Sequence, residues 1–230
     1  MKRIGHKGAD AVVRGNTLDS FRAAVELGVD MIEFDVLRLH DGSLVIAHDH
    51  IDAQRREPIP LAECLDAFVA PPLDRVELDC DLKKPGGEQE LAAALRERGL
   101  LARAMVSTME VSSLGALRRI EPTLRLGWTY PKVKRGWTGR RWARPGVVAA
   151  LRVMRARLPR TAARALPRLD VQAMWVYWPL IGRRLLEVAR SAGVSVNAWT
   201  VDDADRLRAL DRLGVDGICT NDPRLFSAPA

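Results

Sequence analysis

Two acids and two histidines stand out in one stretch, "DMIEFDVLRLHDGSLVIAHDH" over residues 30 to 50. Glu33 and Asp35 lie near its start, His48 and His50 at its end. Carboxylate oxygens are hard ligands suited to Mg²⁺ or Ca²⁺. Imidazole is the side chain best matched to proton transfer near neutral pH. Two other strand-like runs end the same way: "RIGHKG" with His6 and Lys7, and "VELDCDLKKPG" with Glu77, Asp79, Asp81 and Lys83. Histidines, acids and lysines gathered at strand ends are the chemistry of a hard-cation site beside a general acid–base pair. The plain alternative is an amphipathic ribbon, with Ile32, Phe34 and Val36 on the core and the charges in water.

The choice depends on what positions these groups. No crossover helix fits between "IEFDV" and "LVIAHD", and Asp41-Gly42 is a hairpin signal. The reading is therefore a β-hairpin over residues 31–49. Closed at residues 41 and 42, it sets Asp35 opposite His48 and Glu33 opposite His50. Opposed residues project to one side of a ribbon, and 33 and 35 share that side by parity. All four converge on one face, with His40 in solvent at the tip. Asp79 shares the side of Asp81 by the same parity.

Beyond the hairpin, strand-like runs alternate with helical patterns such as "TLDSFRAAVELG", "EQELAAALRERG" and "ADRLRALDRLG". Asn16 reads as a helix cap with Asp19 three residues on, and Gly28, Gly99, Gly193 and Gly214 as helix stops. This alternation predicts a parallel sheet covered by helices. There are enough strands for a (β/α)₈ TIM barrel, and the 230 residues suit that fold. A doubly wound open sheet is the competing architecture. No internal repeat or Gly/Ser linker divides the chain, so residues 1–230 read as a single domain.

With 47% apolar and 28% charged residues, the composition is that of an ordinary globular protein. Cys64, Cys80 and Cys219 are odd in number and without zinc spacing, which reads as reduced core thiols and a cytoplasmic setting. No window approaches a membrane span. The net charge of +7 is concentrated: residues 131 to 168 hold twelve Lys or Arg and no acid, leaving −5 elsewhere.

The stretch "IGHKGADAVVRGNTLDSFRAAVELGVDMIEFDVLRLHDGSLVIAHD", residues 4 to 49, resembles the N-terminal signature of the glycerophosphodiester phosphodiesterase family. That pattern runs His-Arg-Gly, Asn-Thr, Ile-Glu-x-Asp-Val, Asp-Gly and His-Asp. The closing "VNAWTVDDADRLRALDRLGVDGICTNDP" resembles the family's Trp-Thr-Val and Gly-Val-Asp-x-Ile-x-Thr-Asp/Asn motifs. The resemblance implies a distorted TIM barrel that hydrolyses glycerophosphodiesters to glycerol 3-phosphate and an alcohol, using one divalent cation, Mg²⁺ or Ca²⁺. Carried over by position, it implies Glu33, Asp35 and Asp81 as metal ligands and His6 and His48 as the acid–base pair. Lys7 and Lys83 would contact the phosphate, and Trp199 would line the pocket mouth. Glu77 is an alternative third ligand, and His50 has no family role.

The resemblance further suggests attack by the substrate's own neighbouring hydroxyl through a cyclic phosphate, with His6 as first base. Three departures stand out. Lys7 replaces an Arg, losing a bidentate fork. Asp81 replaces a Glu, one methylene shorter. The segment from His50 to Arg75 is short where many family members carry an insertion, which bears on substrate choice more than on catalysis.

The basic segment carries three readings. One is an outer-ring helix with a solvated cationic face, its stripe formed by Val147, Leu151, Met154 and Leu158. A second is peripheral contact with an anionic membrane, with Trp128, Trp137 and Trp142 beside the cations. The third, nucleic-acid binding, ranks lowest because no base-reading motif accompanies the charge. The expected substrate is a small-molecule or lysophospholipid phosphodiester. The competing functions are a phospholipase D-like activity on lysophospholipids and a non-catalytic barrel that binds anionic membranes.

Overall fold

The structure, a computed structural model, describes residues 1–132 and 144–227. In chain order its strands are β1 (Lys2–His6), β2 (Met31–Arg38), β3 (Leu44–Ile46), β4 (Ile59–Pro60), β5 (Glu77–Leu82), β6 (Ala104–Thr108), β7 (Arg125–Tyr130), β8 (Ala173–Tyr177), β9 (Ser195–Trp199) and β10 (Gly217–Thr220). The helices are α1 (Leu18–Glu26), α2 (His50–Arg55), α3 (Leu61–Ala67), α4 (Glu88–Glu97), α5 (Val111–Ile120), α6 (Arg144–Leu169), α7 (Arg183–Ser191) and α8 (Ala204–Leu213). Strand β1 pairs in parallel with both β10 and β2, so the strands β1, β2 and β5 to β10 close into a ring of eight. The architecture is a TIM barrel, and the open-sheet alternative falls.

Side-chain parity along each strand builds two cores. Outward residues such as Ile32, Phe34, Leu78, Val106, Leu126 and Val176 meet the helices in one continuous cluster. Inward residues Ile4, Met31, Met105, Ala173, Trp175 and Cys219 fill the barrel axis. Lys2 and Arg125 both pair with Glu77, at 2.6 and 2.7 Å, at the N-terminal end of the barrel. Glu77 is thus an ion-paired plug far from the strand C-termini and not an alternative ligand. The three cysteines are free and buried.

The hairpin differs from its expected form. Residues Val36 to Arg38 pair antiparallel with Ile46 to Leu44, and Leu39 N–H donates to Ser43 O at 2.9 Å. The loop therefore holds three residues, His40 to Gly42, with Gly42 at φ 93°, not the two residues of a tight turn. The register shifts by one, the pairing expected of Asp35 with His48 does not form, and Ala47 N–H donates to Asp35 O instead. Below Val36, strand β2 pairs only with its barrel neighbours β1 and β5. His50 opens helix α2 and stacks on His40, 4.7 Å between ring centroids.

Two other expectations change. The side chain of Thr17, not Asn16, caps α1, accepting from Ser20 N. Trp128 faces outward from β7 and is buried among the helices, so it is no surface residue. Helix α6 keeps its apolar stripe, with Leu158 buried and Leu151 and Met154 packed on the core. Trp137, Trp142 and the cations Lys134, Arg135, Arg140 and Arg141 lie outside the described residues. Among those described, no helix is long and apolar enough to cross a membrane.

Candidate active site

Barrel register, not the hairpin, assembles the charged groups. His6 on β1 stands beside Glu33 on β2, and Glu33 and Asp35 stand beside Asp79 and Asp81 on β5. All point inward at or near the C-terminal strand ends, where active sites of this fold lie. Glu33, Asp35 and Asp81 each offer an oxygen within 4.8 Å of the others, and all three are buried.

Lys83 is the cation of this cluster. Its Nζ pairs with Asp35 Oδ1 and lies 2.5 Å from Asp81 Oδ2. Burial opposes its charge, but the carboxylates of Asp35, Asp81 and Glu33 hold it well above the usual lysine range. Burial also pushes Asp35 upward, yet Lys83 and Lys7 more than reverse this and hold it below the usual carboxylate range. Glu33 has no such partner: burial and the neighbouring Asp35 push it to about 8. Burial raises Asp79 well above its usual value although Ser107 donates to it at 2.7 Å.

Lys7 does not line the cleft. Its ammonium lies 3.9 Å from Asp35 and 4.0 Å from Asp10, while its backbone N–H donates to Glu33 Oε2 at 3.0 Å. The residue adopts φ 51°, which turns that N–H into the site. Asn16, also at positive φ, clamps Asp35 from both sides: its amide donates to Asp35 Oδ2 at 2.7 Å and its Oδ1 accepts from Asp35 N at 3.1 Å. The residue read as a helix cap is thus a support of the acidic cluster.

His6 is oriented from behind. Asn221 spends its amide and backbone N–H groups on Asp202, at 2.7 and 2.8 Å. Its Oδ1 is left to accept from His6 Nδ1 at 2.6 Å. The proton is therefore on Nδ1, and the acceptor nitrogen Nε2 faces the cleft, 3.8 Å from Glu33 Oε2. Burial and Lys7 lower the His6 pKa, which keeps the ring neutral. His48 is different, with a half-exposed side chain on the rim and its Nδ1 3.0 Å from Asp49 Oδ2. Its loop is held by Arg56, which donates to Asn16 O, Ile46 O and Asp52.

The cleft between these groups has a volume of about 170 Å³. His6, Glu33, Asp81 and Lys83 form one wall, with His48 at the edge. Thr129, Trp175 and Trp199 form the other, and the Oγ1 of Thr129 and both indole N–H groups have no protein partner. Gly127 makes room for this wall, since a Cβ there would lie 2.8 Å from the Trp175 ring. Of the residues singled out by sequence, His6, Glu33, Asp81, Lys83, His48 and Trp199 share the cleft, Asp35 and Lys7 lie behind it, and His50 is outside. Asn16, Asn221, Asp202, Thr129 and Trp175 were missed as site residues. Strand parity alone could have placed Thr129 and Trp175 on the inner wall.

Residues 6–55 and 79–225 match the Glycerophosphoryl diester phosphodiesterase family. The glycerophosphodiester phosphodiesterase of Caldanaerobacter subterraneus subsp. tengcongensis is 28% identical over 252 residues, covering 96% of this chain and 93% of that protein. Two solved structures share the fold. A glycerophosphoryl diester phosphodiesterase of Silicibacter pomeroyi superposes with a TM-score of 0.75 at 20% identity, covering 98% of this chain and 91% of that one. An Oleispira antarctica phosphodiesterase in complex with the product sn-glycerol-3-phosphate does so at 0.71 and 19%, covering 99% and 96%. The chain belongs to the glycerophosphoryl diester phosphodiesterase family and is a phosphoric diester hydrolase built on a TIM barrel.

Proposed function

We propose that this phosphodiesterase cleaves glycerophosphodiesters to glycerol 3-phosphate and an alcohol by acid–base catalysis between His6 and His48, with one divalent cation held by Glu33, Asp35 and Asp81. The observation that carries the reading is a pre-oriented imidazole in the cleft beside Glu33 and Asp81, with Asp35 directly behind them in one group of three buried carboxylates. The donor set fits a hard cation: three carboxylates converge, and Lys83 compensates Asp35 and Asp81 but leaves Glu33 pushed to about 8. Lys83 and Lys7 both sit against Asp35, so the positive charge still missing is the one beside Glu33. Carboxylate ligands suit Mg²⁺ and Ca²⁺ alike.

Bound there, the cation supplies charge neutralisation at the phosphate and acidifies a nearby hydroxyl or water. His6 Nε2 takes the proton from the nucleophile, because Asn221 keeps the ring's own proton on Nδ1. His48, at the solvent edge of the cleft, gives a proton to the departing alcohol oxygen. Lys83 lies on the cleft wall and adds positive charge where the transition state is most anionic. Lys7 acts on the cluster through Asp35 and Glu33, its ammonium against the first and its backbone N–H on the second. The unpartnered Thr129 hydroxyl and indole N–H groups of Trp175 and Trp199 await acceptors, which the hydroxyls of a glycerol end provide.

A lysophospholipid substrate is the second reading, favoured by the half-buried aromatic rings of Tyr177 and Trp178 beside Trp199. Product analysis separates the two. Glycerol 3-phosphate from glycerophosphocholine supports the first, and lysophosphatidic or cyclic phosphatidic acid from lysophosphatidylcholine supports the second. No turnover of either would sink both.

A further inference from the structure

Helix α6 runs down the outside of the barrel with Arg152, Arg155, Arg157, Arg160, Arg164 and Arg168, all exposed, and no acid along its length. Between α6 and α7 lies a groove of about 400 Å³ lined by Arg152, Arg155, Arg183 and Arg184, with Leu180 and Pro159 at its floor. Among the described residues none of these four guanidinium groups has an ion-pair partner. A helix face that alternates the sign of its charges is the pattern of a solvent-exposed, salt-bridged helix, and α6 lacks it. Four unpaired arginines side by side cost self-repulsion that an anionic partner would relieve.

The position of the groove matters. Helix α7 begins just past the C-terminal end of β8, so Arg183 and Arg184 lie at the catalytic end of the barrel. Leu180 belongs to the same short turn as Trp178, whose ring is covered by the Arg206 guanidinium at 3.7 Å. Trp178 packs on Tyr177, and Tyr177 on Trp199 at the cleft. Exposed apolar side chains gather at this end too. Val12 follows β1, Ile51 follows His48, Val111 opens α5 and Val148 lies in the first turns of α6.

We propose that this rim docks on the surface of an anionic phospholipid bilayer, with the arginine groove against the head groups and the rim valines and Trp178 in the interfacial layer. Arginine supplies the electrostatic attraction, and amphipathic aromatic rings suit the boundary between water and acyl chains. Exposed valines gain nothing from nucleic acid, whose backbone offers them no apolar phase. The inference rests on the fold and surface and not on the reaction, and its test reads binding, with turnover only as a control.

The test is co-sedimentation of the full chain with phosphatidylcholine vesicles, with and without phosphatidylglycerol, across a salt series. Duplex DNA is the competing ligand. The expected result is binding to the anionic vesicles only, weakening with salt. At about fivefold per arginine, the Arg152→Gln/Arg155→Gln/Arg183→Gln/Arg184→Gln variant should lose at least about a hundredfold in affinity. It should melt as the parent does and turn over soluble glycerophosphocholine unchanged. A second variant, Val111→Ser/Val148→Ser, should weaken binding without altering its salt dependence. Equal binding to neutral vesicles, full affinity in the arginine variant, or tighter binding to DNA than to vesicles at the same salt would each overturn the proposal.

Discussion

Glu33 carries the charge balance of the site. In the folded, cation-free chain its proton stays on up to about pH 8, whereas a free glutamate releases it near 4.5. Between these values the folded state binds the extra proton, so this contribution to stability falls as pH rises through the window. A divalent cation needs the carboxylate free, so its apparent affinity should climb from about pH 5 to 8 and then level off. Calorimetric titrations at stepped pH would show this, and a flat profile would remove Glu33 from the ligand set. Asn221→Ala should lower kcat about a hundredfold with little change in KM or cation affinity, since it frees the His6 tautomer and leaves the carboxylates alone. Residue types at strand ends made Glu33, Asp35, Asp81 and His6 legible in the sequence. The amides of Asn16 and Asn221 were not, because their roles exist only once residues 19 and 215 positions away fold against them.

At the scale of elements, the strands and helices were legible from periodicity, and the register of the hairpin was not. A Gly at the second position of an Asp-Gly pair serves a two-residue and a three-residue loop alike. The one-residue difference decides which side chains oppose. Glu33 and Asp35 converge all the same, because the parallel neighbours β1 and β5 impose it independently, whereas His50 leaves that face for the start of α2. His48, lying past the paired part of β3, depends on the Arg56 clamp to Asn16 and Ile46 carbonyls. Arg56→Ala is expected to loosen that loop, lowering kcat about tenfold while costing about 1.5–3 kcal/mol in stability through the lost charged hydrogen bonds. Cation affinity should hold. Steady-state kinetics beside denaturant melts would check this, and unchanged kcat would show that His48 is positioned by other contacts.

At the scale of the whole molecule, closure of the barrel by β1 ties the first strand to both the last and the second, and one outer core runs under the helices. Phe34 sits in that core between Phe21 and Phe68, with centroids 5.5 Å from each. Phe34→Ala should destabilise the chain by about 3–5 kcal/mol in a single unfolding transition, as one domain requires, and a second transition would speak for separate units. The barrel was readable from alternation and length, but its closure was not, since local patterns do not report which strand the first one pairs with. The proposed reaction depends on a cation and two histidines acting in one cleft. The measurement that reaches it most directly is release of glycerol 3-phosphate from glycerophosphocholine with Mg²⁺, with Ca²⁺ and with a chelator, by the parent chain, His6→Ala and Glu33→Gln. Turnover that needs a divalent cation and is lost in both variants is the predicted result. Turnover that survives the chelator, or persists in His6→Ala, would contradict it.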